Sequence, residues 1–260
     1  MTEPPLHPSD VELFEVDQLR FIEGATLWVS PEERLAMDRI WDEAVQANPS
    51  LFDGPAVACT GLEWEAPGSM VLSWARATYR YRALRRVPGA PSVSSVFVAV
   101  AQPTDDGRLL VGRMSPSTAT PGRLQLPGGS LESPPHEQPL DVVALRRHAA
   151  RELVEETGVH TRPESLALWL VTRGEHGNVG FLFRSPSRPA QLLHQRFEAL
   201  VSSETARGQE PELDQIALIR SETELATLGR PPVDYLAPVV HRYAQEGSTT
   251  TPDRAANRTD

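Results

Sequence analysis

Apolar positions along the chain keep two periods, and the points where one gives way to the other mark its elements. Leu35, Ile40, Trp41 and Val45 recur at helical spacing. Before them Ser30 stands as an N-cap, with Pro31 at the first helical position and Glu33 three residues after the serine, the layout of a capping box. A helix is therefore predicted, ending near Asn48, where Pro49 stops it. "GPAVACTGLEWE" and "MVLSWARATYRYR" then read as strands, the second from the alternation of Val71, Ser73, Ala75, Thr78 and Tyr81. Pro88, Gly89 and Pro91 punctuate the chain and place a boundary there. After it, "VSSVFVAVAQ" is a buried strand by its β-branched run, and "PTDDG" turns it into "RLLVGRM", expected as the second arm of a hairpin. A loop leads to Gly128 and Gly129. Val142, Leu145, Ala149 and Leu153 then form the buried stripe of a helix over 141–157, with Gly158 as its stop. "SLALWLVTR" and "VGFLFRS" pair across "GEHGN", followed by a helix over 189–205, the strand "DQIALIR" and a closing helix in "PVDYLAPVVHRYAQ".

Strands on both sides of a central helix predict an α+β fold, a mixed sheet between helices. The boundary divides it into an N-terminal α/β region, 9–91, and a main domain, 92–245. The ends, 1–8 and 246–260, carry no apolar period and are expected to be flexible.

Composition narrows the class. All 25 basic residues are arginine, against 35 acidic ones, and the net charge is -10. Such a chain is not expected to hold nucleic acid through phosphate contacts. Anionic small molecules stay open to it, because a bound divalent cation inverts the local charge. Cys59 is the only cysteine, which excludes an intrachain disulfide and a cysteine-rich zinc site, and in its predicted strand it reads as a small buried apolar residue. No apolar run approaches a membrane span and the first residues lack a secretory pattern, so a cytoplasmic location away from membranes is expected.

One helix carries its charge at the wrong end. Glu152, Glu155 and Glu156 share one side of the last turns of the 141–157 helix. Like charges at that spacing repel by a few tenths of a kcal/mol per pair, and the helix dipole adds ~0.3–1 kcal/mol against each carboxylate. Stability alone would place arginine there.

The string Arg151, Glu152, Leu153, Val154, Glu155, Glu156, Thr157, Gly158, Val159 resembles the second half of the Nudix box, Gly-x5-Glu-x7-Arg-Glu-U-x-Glu-Glu-x-Gly-U, where U is aliphatic. All seven specified positions are filled, and "LPGG" matches the start of the motif. The resemblance implies a Nudix fold in which Glu152, Glu155 and Glu156 coordinate Mg2+ or Mn2+, a glutamate acts as base, and a nucleoside diphosphate linked to another group is hydrolysed. Gly128 and Gly129 would give the backbone a tight path beside the substrate, and Arg151 would brace the loop by a salt bridge.

The first half of the box departs from the pattern. The stretch from Gly129 to Arg151 is eight residues too long, so counting forward from the glycine reaches Pro135 and counting back from the arginine reaches Val143. Glu132, Glu137 and Asp141 are the candidates for the displaced glutamate. "GQEPELDQIALI" offers Glu210 and Glu212 as a further carboxylate, Glu212 favoured of the two as extra ligand or base, with a solvated loop charge as the equal alternative. His136 and His148 are given no role.

Residues 40–64 look like the corresponding region of animal Nudix enzymes that hydrolyse UDP-glucose and UDP-galactose, which also carry an insertion in the box. That likeness implies cleavage of a nucleotide sugar to UMP and a sugar 1-phosphate. A rival is found in "LLVGRMSPSTATPGRLQLPGG", where Leu109, Leu110, Arg113 and Gly122 are spaced as in coenzyme A pyrophosphohydrolases, with Arg113 as a substrate contact. Thr118, Leu126 and Met114 depart from that signature. A third reading is a Nudix-like regulator that binds a nucleotide without hydrolysing it. The N-terminal region stands ready to complete the pocket or a homodimer interface. Arg80, Arg82, Arg85 and Arg86 form a basic patch, either solvated or reaching phosphate.

Overall fold

The computed structural model describes residues 11–249. Among them one eight-stranded mixed sheet runs in the order β1 (Glu12–Phe14), β9 (Ala167–Arg173), β10 (Val179–Arg184), β5 (Ser94–Ala101), β3 (Pro55–Ala66), β4 (Ser69–Thr78), β2 (Gln18–Glu23), with β8 (Gly128–Ser130) also paired to β5. The pairs β10/β5 and β2/β4 are parallel and the others antiparallel. β11 (Leu213–Ile219), β6 (Leu109–Met114) and β7 (Leu124–Gln125) make a second sheet. Helices α1 (Pro31–Ala47), α2 (Val142–Thr157), α3 (Ala190–Ala206), α4 (Glu222–Thr227) and α5 (Leu236–Thr249) complete an α+β architecture, as the sequence pattern predicts.

Local signals set the helix ends. Ser30 Oγ accepts from Glu33 N (3.2 Å) while Glu33 Oε2 accepts from Ser30 N (2.8 Å), so the capping box at α1 is complete. Asp141 Oδ1 caps α2 through Ala144 N (2.7 Å), and Gly158 closes it in the left-handed conformation (φ 71°). The stripe on α2 packs Leu145, Ala149 and Leu153 against Val96, Val98 and Phe181 of the sheet.

Strand partners followed long-range contacts instead. β6 does not return along β5; it pairs with β11 and β7 and meets the end of β5 through one bridge, Pro103 with Leu109. Leu109, Leu110 and Val111 are wholly buried, and a strand apolar on both faces carries no mark of which neighbour it joins. The expected second N-terminal strand stops at Thr78, and Tyr79–Arg86 coil into a 3₁₀ helix because Asp53 accepts from both Arg80 N (2.8 Å) and Arg80 Nε (2.9 Å). The closing helix begins four residues later than expected. Pro231 and Pro232 have no N–H to give a helix, and the chain beside them runs along β7. At its far end α5 continues to Thr249, where a flexible tail from 246 was expected: Glu246 accepts from Trp169 Nε1 (3.0 Å) and Arg184 Nη1 (2.9 Å) and ties the last turns down. The expectations for 1–8 and 250–260 lie outside the described residues.

The segment before residue 91 lends strands to the main sheet. β3 meets β5 at Ala58↔Ser95 and Cys59↔Ser94, and Val57, Met70, Leu72 and Trp74 share one core with Val96, Val98 and Phe181. Cys59 is half-buried rather than buried, and the burial it has raises its thiol pKa.

Candidate active site

Two elements meet at the glycine pair. β8 lies against the middle of β5, with Gly129 opposite Val98 and Gly128 opposite Ala99, and α2 crosses that face of the sheet. A Cβ on Gly128 would stand 2.2 Å from the Val98 carbonyl oxygen, at a backbone φ of 155°. A Cβ on Gly129 would stand 2.5 Å from Glu152 Oε2. The first glycine is thus required by the sheet and the second by a carboxylate, which occupies the space a side chain would fill. Gly129→Ala is expected to push that carboxylate aside with little change in melting temperature; under the hydrolytic function proposed below it should also cut turnover by about 10²-fold, the cost of a misplacement of about an ångström, which steady-state kinetics beside a thermal melt would check.

The three helix glutamates differ sharply in environment. Glu156 is 2% exposed, and its Oε2 accepts from Gly128 N at 2.8 Å. Its other oxygen, Oε1, is buried without a hydrogen-bond partner, and the charges of Glu152 and Glu212 bear on the carboxylate. The Glu152 side chain is 13% exposed and that of Glu155 60%. Burial, then the charges of Glu152 and Glu212, push the Glu156 pKa well above the carboxylate range. Glu155 is raised by burial and Glu152, with Arg151 opposing. Glu212 keeps an open surface, yet the protein packed around its carboxylate, with Glu152 and Glu155, raises it too. Four carboxylates from two distant segments therefore make one charge-dense wall. Among the described residues, no three His, Cys, Asp or Glu side chains stand around one point as a finished metal cage.

The backbone brings Glu212 there by a specific contact: Ser115 N, at the end of β6, donates to Glu212 O at 2.8 Å. Glu210 joins none of these contacts.

Compared with known proteins, the chain matches no protein-family model and no curated protein. Solved structures do resemble it in part. One is a MutT protein from Methanosarcina mazei Go1, at 19% identity over 59% of this chain and 95% of that one, with a TM-score of 0.40. Another is a Nudix hydrolase from Nitrosomonas europaea, at 18% identity over 60% and 89%, with a TM-score of 0.33. The Nudix domain of Shewanella oneidensis NrtR, solved with ADP ribose, matches at 15% identity over 66% and 99%, with a TM-score of 0.38. At these identities and scores they lend the site no residue roles, which rest on the side chains themselves.

Around the wall, Arg151 reaches Glu132 Oε1 at 2.7 Å and stands 3.8 Å from both Glu152 and Glu155. Of the three acids weighed for the displaced position, Glu132 thus meets the box arginine, Asp141 is spent as a cap, and Glu137 sits in the exposed turn of the insertion. His148, given no role from the sequence, is buried one turn before Glu152, with Nε2 2.8 Å from Glu152 Oε1, out of line for a hydrogen bond, and Nδ1 3.3 Å from Arg151 Nη2. Its i, i+4 spacing to Glu152 was the available signal. His136 is exposed in the insertion.

The predicted basic contacts are largely engaged elsewhere. Arg113 holds Asp214 through two bonds of 2.6 and 3.1 Å. Arg80 pairs with Asp38 and Asp53, Arg82 lies over the Tyr79 ring, and Arg85 bonds Val93 O, Ser95 and Asn178. Of the arginine patch, Arg86 is the exposed member.

Raised carboxyl pKa values set the direction of a pH effect. The folded protein holds protons on Glu156, Glu155 and Glu212 that the unfolded chain, with its ordinary value of 4.5, releases sooner. By linkage, stability is lost as pH rises from 4.5 through the raised values. The protein is therefore expected to melt at lower temperature at pH 8 than at pH 5, as scanning calorimetry would record.

Proposed function

We propose that this chain is a Nudix-type pyrophosphohydrolase dependent on a divalent cation, Mg2+ or Mn2+, and that Glu152, Glu155 and Glu156 hold the cation. The observation that carries this reading is the buried Glu156 Oε1, left without a donor beside the Glu152 and Glu212 carboxylates. An ionised carboxylate in such a place is costly unless something positive meets it. Hard divalent cations take oxygen ligands of this kind, so the donor set fits the group. When bound, the cation supplies charge neutralisation on the phosphates and acidifies a water.

The chain's own residues do the rest. Gly129 leaves Glu152 its place, the Gly128 amide fixes one oxygen of Glu156, and Arg151 ties the insertion to the helix through Glu132. Glu212 is the proposed general base: it is open to solvent, and its raised pKa brings it toward the working pH of a proton acceptor.

The proposed substrate is a nucleoside diphosphate joined to another group, a nucleotide sugar such as UDP-glucose, cleaved to UMP and the sugar 1-phosphate. The coenzyme A alternative loses its predicted contact, since Asp214 neutralises Arg113. Purified protein with Mg2+ would be incubated with UDP-glucose, ADP-ribose, NADH, coenzyme A and nucleoside triphosphates, and the products separated by chromatography. UMP and glucose 1-phosphate should form fastest; faster turnover of coenzyme A would reverse the ranking.

A further inference from the structure

Residues 115–122, "SPSTATPG", form the loop between β6 and β7 and bring no large apolar side chain. Hydrogen bonds, rather than packing, hold such a loop. Two of them come from the segment before residue 91. Pro49 bars the helical region to the residue before it, so Asn48 ends α1 in an extended conformation, at φ -138° and ψ 95°. Its side-chain oxygen accepts from Ser50 N (3.1 Å), while its amide nitrogen donates to Ser117 O (2.9 Å) and Thr118 O (3.2 Å), 69 and 70 positions along the chain. Within the loop, Thr118 donates to Ser115 O from both N (3.2 Å) and Oγ1 (2.8 Å), and the hydroxyls of Ser115 and Ser117 lie 3.0 Å apart. Ser115 is wholly buried, and its own amide is the donor to Glu212 O (2.8 Å). An unbroken run of hydrogen bonds thus joins the end of α1 to the backbone of Glu212.

We propose that Asn48 is a positioning residue: by clamping residues 117 and 118 it keeps Ser115, and through it Glu212, in place at the carboxylate wall. The proposal rests on the proposed role of Glu212 as general base.

Hydrogen exchange of residues 113–122, measured without metal, tests the clamp apart from turnover. Asn48→Asp keeps the acceptor for Ser50 N and loses the donor; Asn48→Ala loses both and adds no charge. Each should speed exchange in that peptide by about tenfold, the effect of two lost hydrogen bonds, while residues 31–43 of α1 exchange as in the parent. With substrate, each should lower kcat by about tenfold at nearly constant KM, as expected for misplaced rather than missing machinery. In a Glu212→Gln background the same substitutions should cost less than about twofold, because the group they position is already gone. Parent-like exchange of the loop in either variant, or equal acceleration over residues 31–43, would overturn the proposal, as would an undiminished cost beside Glu212→Gln. If the loop loosens while the parent hydrolyses no diphosphate, the hydrolase reading fails and the clamp stands.

Discussion

Glu156→Gln is expected to lower turnover by about 10²–10³-fold and, at the same time, to raise the melting temperature of the metal-free protein at pH 8. The two effects share a cause. Glu156 is buried, one oxygen lacks a donor, and neighbouring carboxylates hold its pKa far up, so ionising it at pH 8 costs folding free energy. Glutamine keeps the shape and can still accept the Gly128 amide, but carries no charge. The gain in stability should shrink toward pH 5, because the raised pKa of Glu156 makes its ionisation matter less there, and the rise in melting temperature with Mg2+ that the proposed cation site predicts for the parent should be lost. In the proposed site a ligand charge is lost, and removal of one preorganised group costs about 10²–10³-fold in well-studied sites. A residue that only filled space would lose stability on substitution, with no gain at high pH. Paired melts at the two pH values, beside steady-state rates, read both predictions from one variant.

Trp74→Ala is expected to destabilise the whole molecule, by about 3–5 kcal/mol for a large buried aromatic side chain. In a chain of this size that is a fall in melting temperature on the order of 10 °C. Trp74 is 2% exposed and lies in the same core as Val96, Val98 and Phe181, which support α2. We propose that the N-terminal segment and the main domain unfold together, so one transition should shift as a unit in calorimetry. Two separated transitions, with the higher one unmoved, would show that the segment folds by itself.

How much of this was legible in the sequence depended on the range of the interaction. The ends of α1 and α2 could be read because Ser30, Glu33, Asp141 and Gly158 act within a few residues of themselves. The acidic side of α2 could be read for the same reason, since Glu152, Glu155 and Glu156 stand one turn apart. Glu212 was reachable only as a suspicion, because the contact that delivers it, Ser115 N to Glu212 O, joins two strand ends nearly a hundred residues apart. The pairing of β6 with β11 was hidden for a related reason: a continuous apolar run states burial and says nothing of partners. Pro232 read as the start of a helix, whereas Pro231 O and Val233 N pair with Leu124 and serve as an edge for β7. Glu132, one of three acids in the insertion, was singled out only when the loop folded back to Arg151.

The most direct test of the central claim, that the carboxylate wall is a cation-dependent hydrolytic site, is phosphate release. Products of the diphosphate panel would be coupled to a phosphatase, with Mg2+ or with EDTA, for the parent and for Glu156→Gln side by side. The parent should release phosphate from at least one panel member only when Mg2+ is present, and Glu156→Gln should release almost none. No metal-dependent release by the parent from any member of the panel would contradict the account.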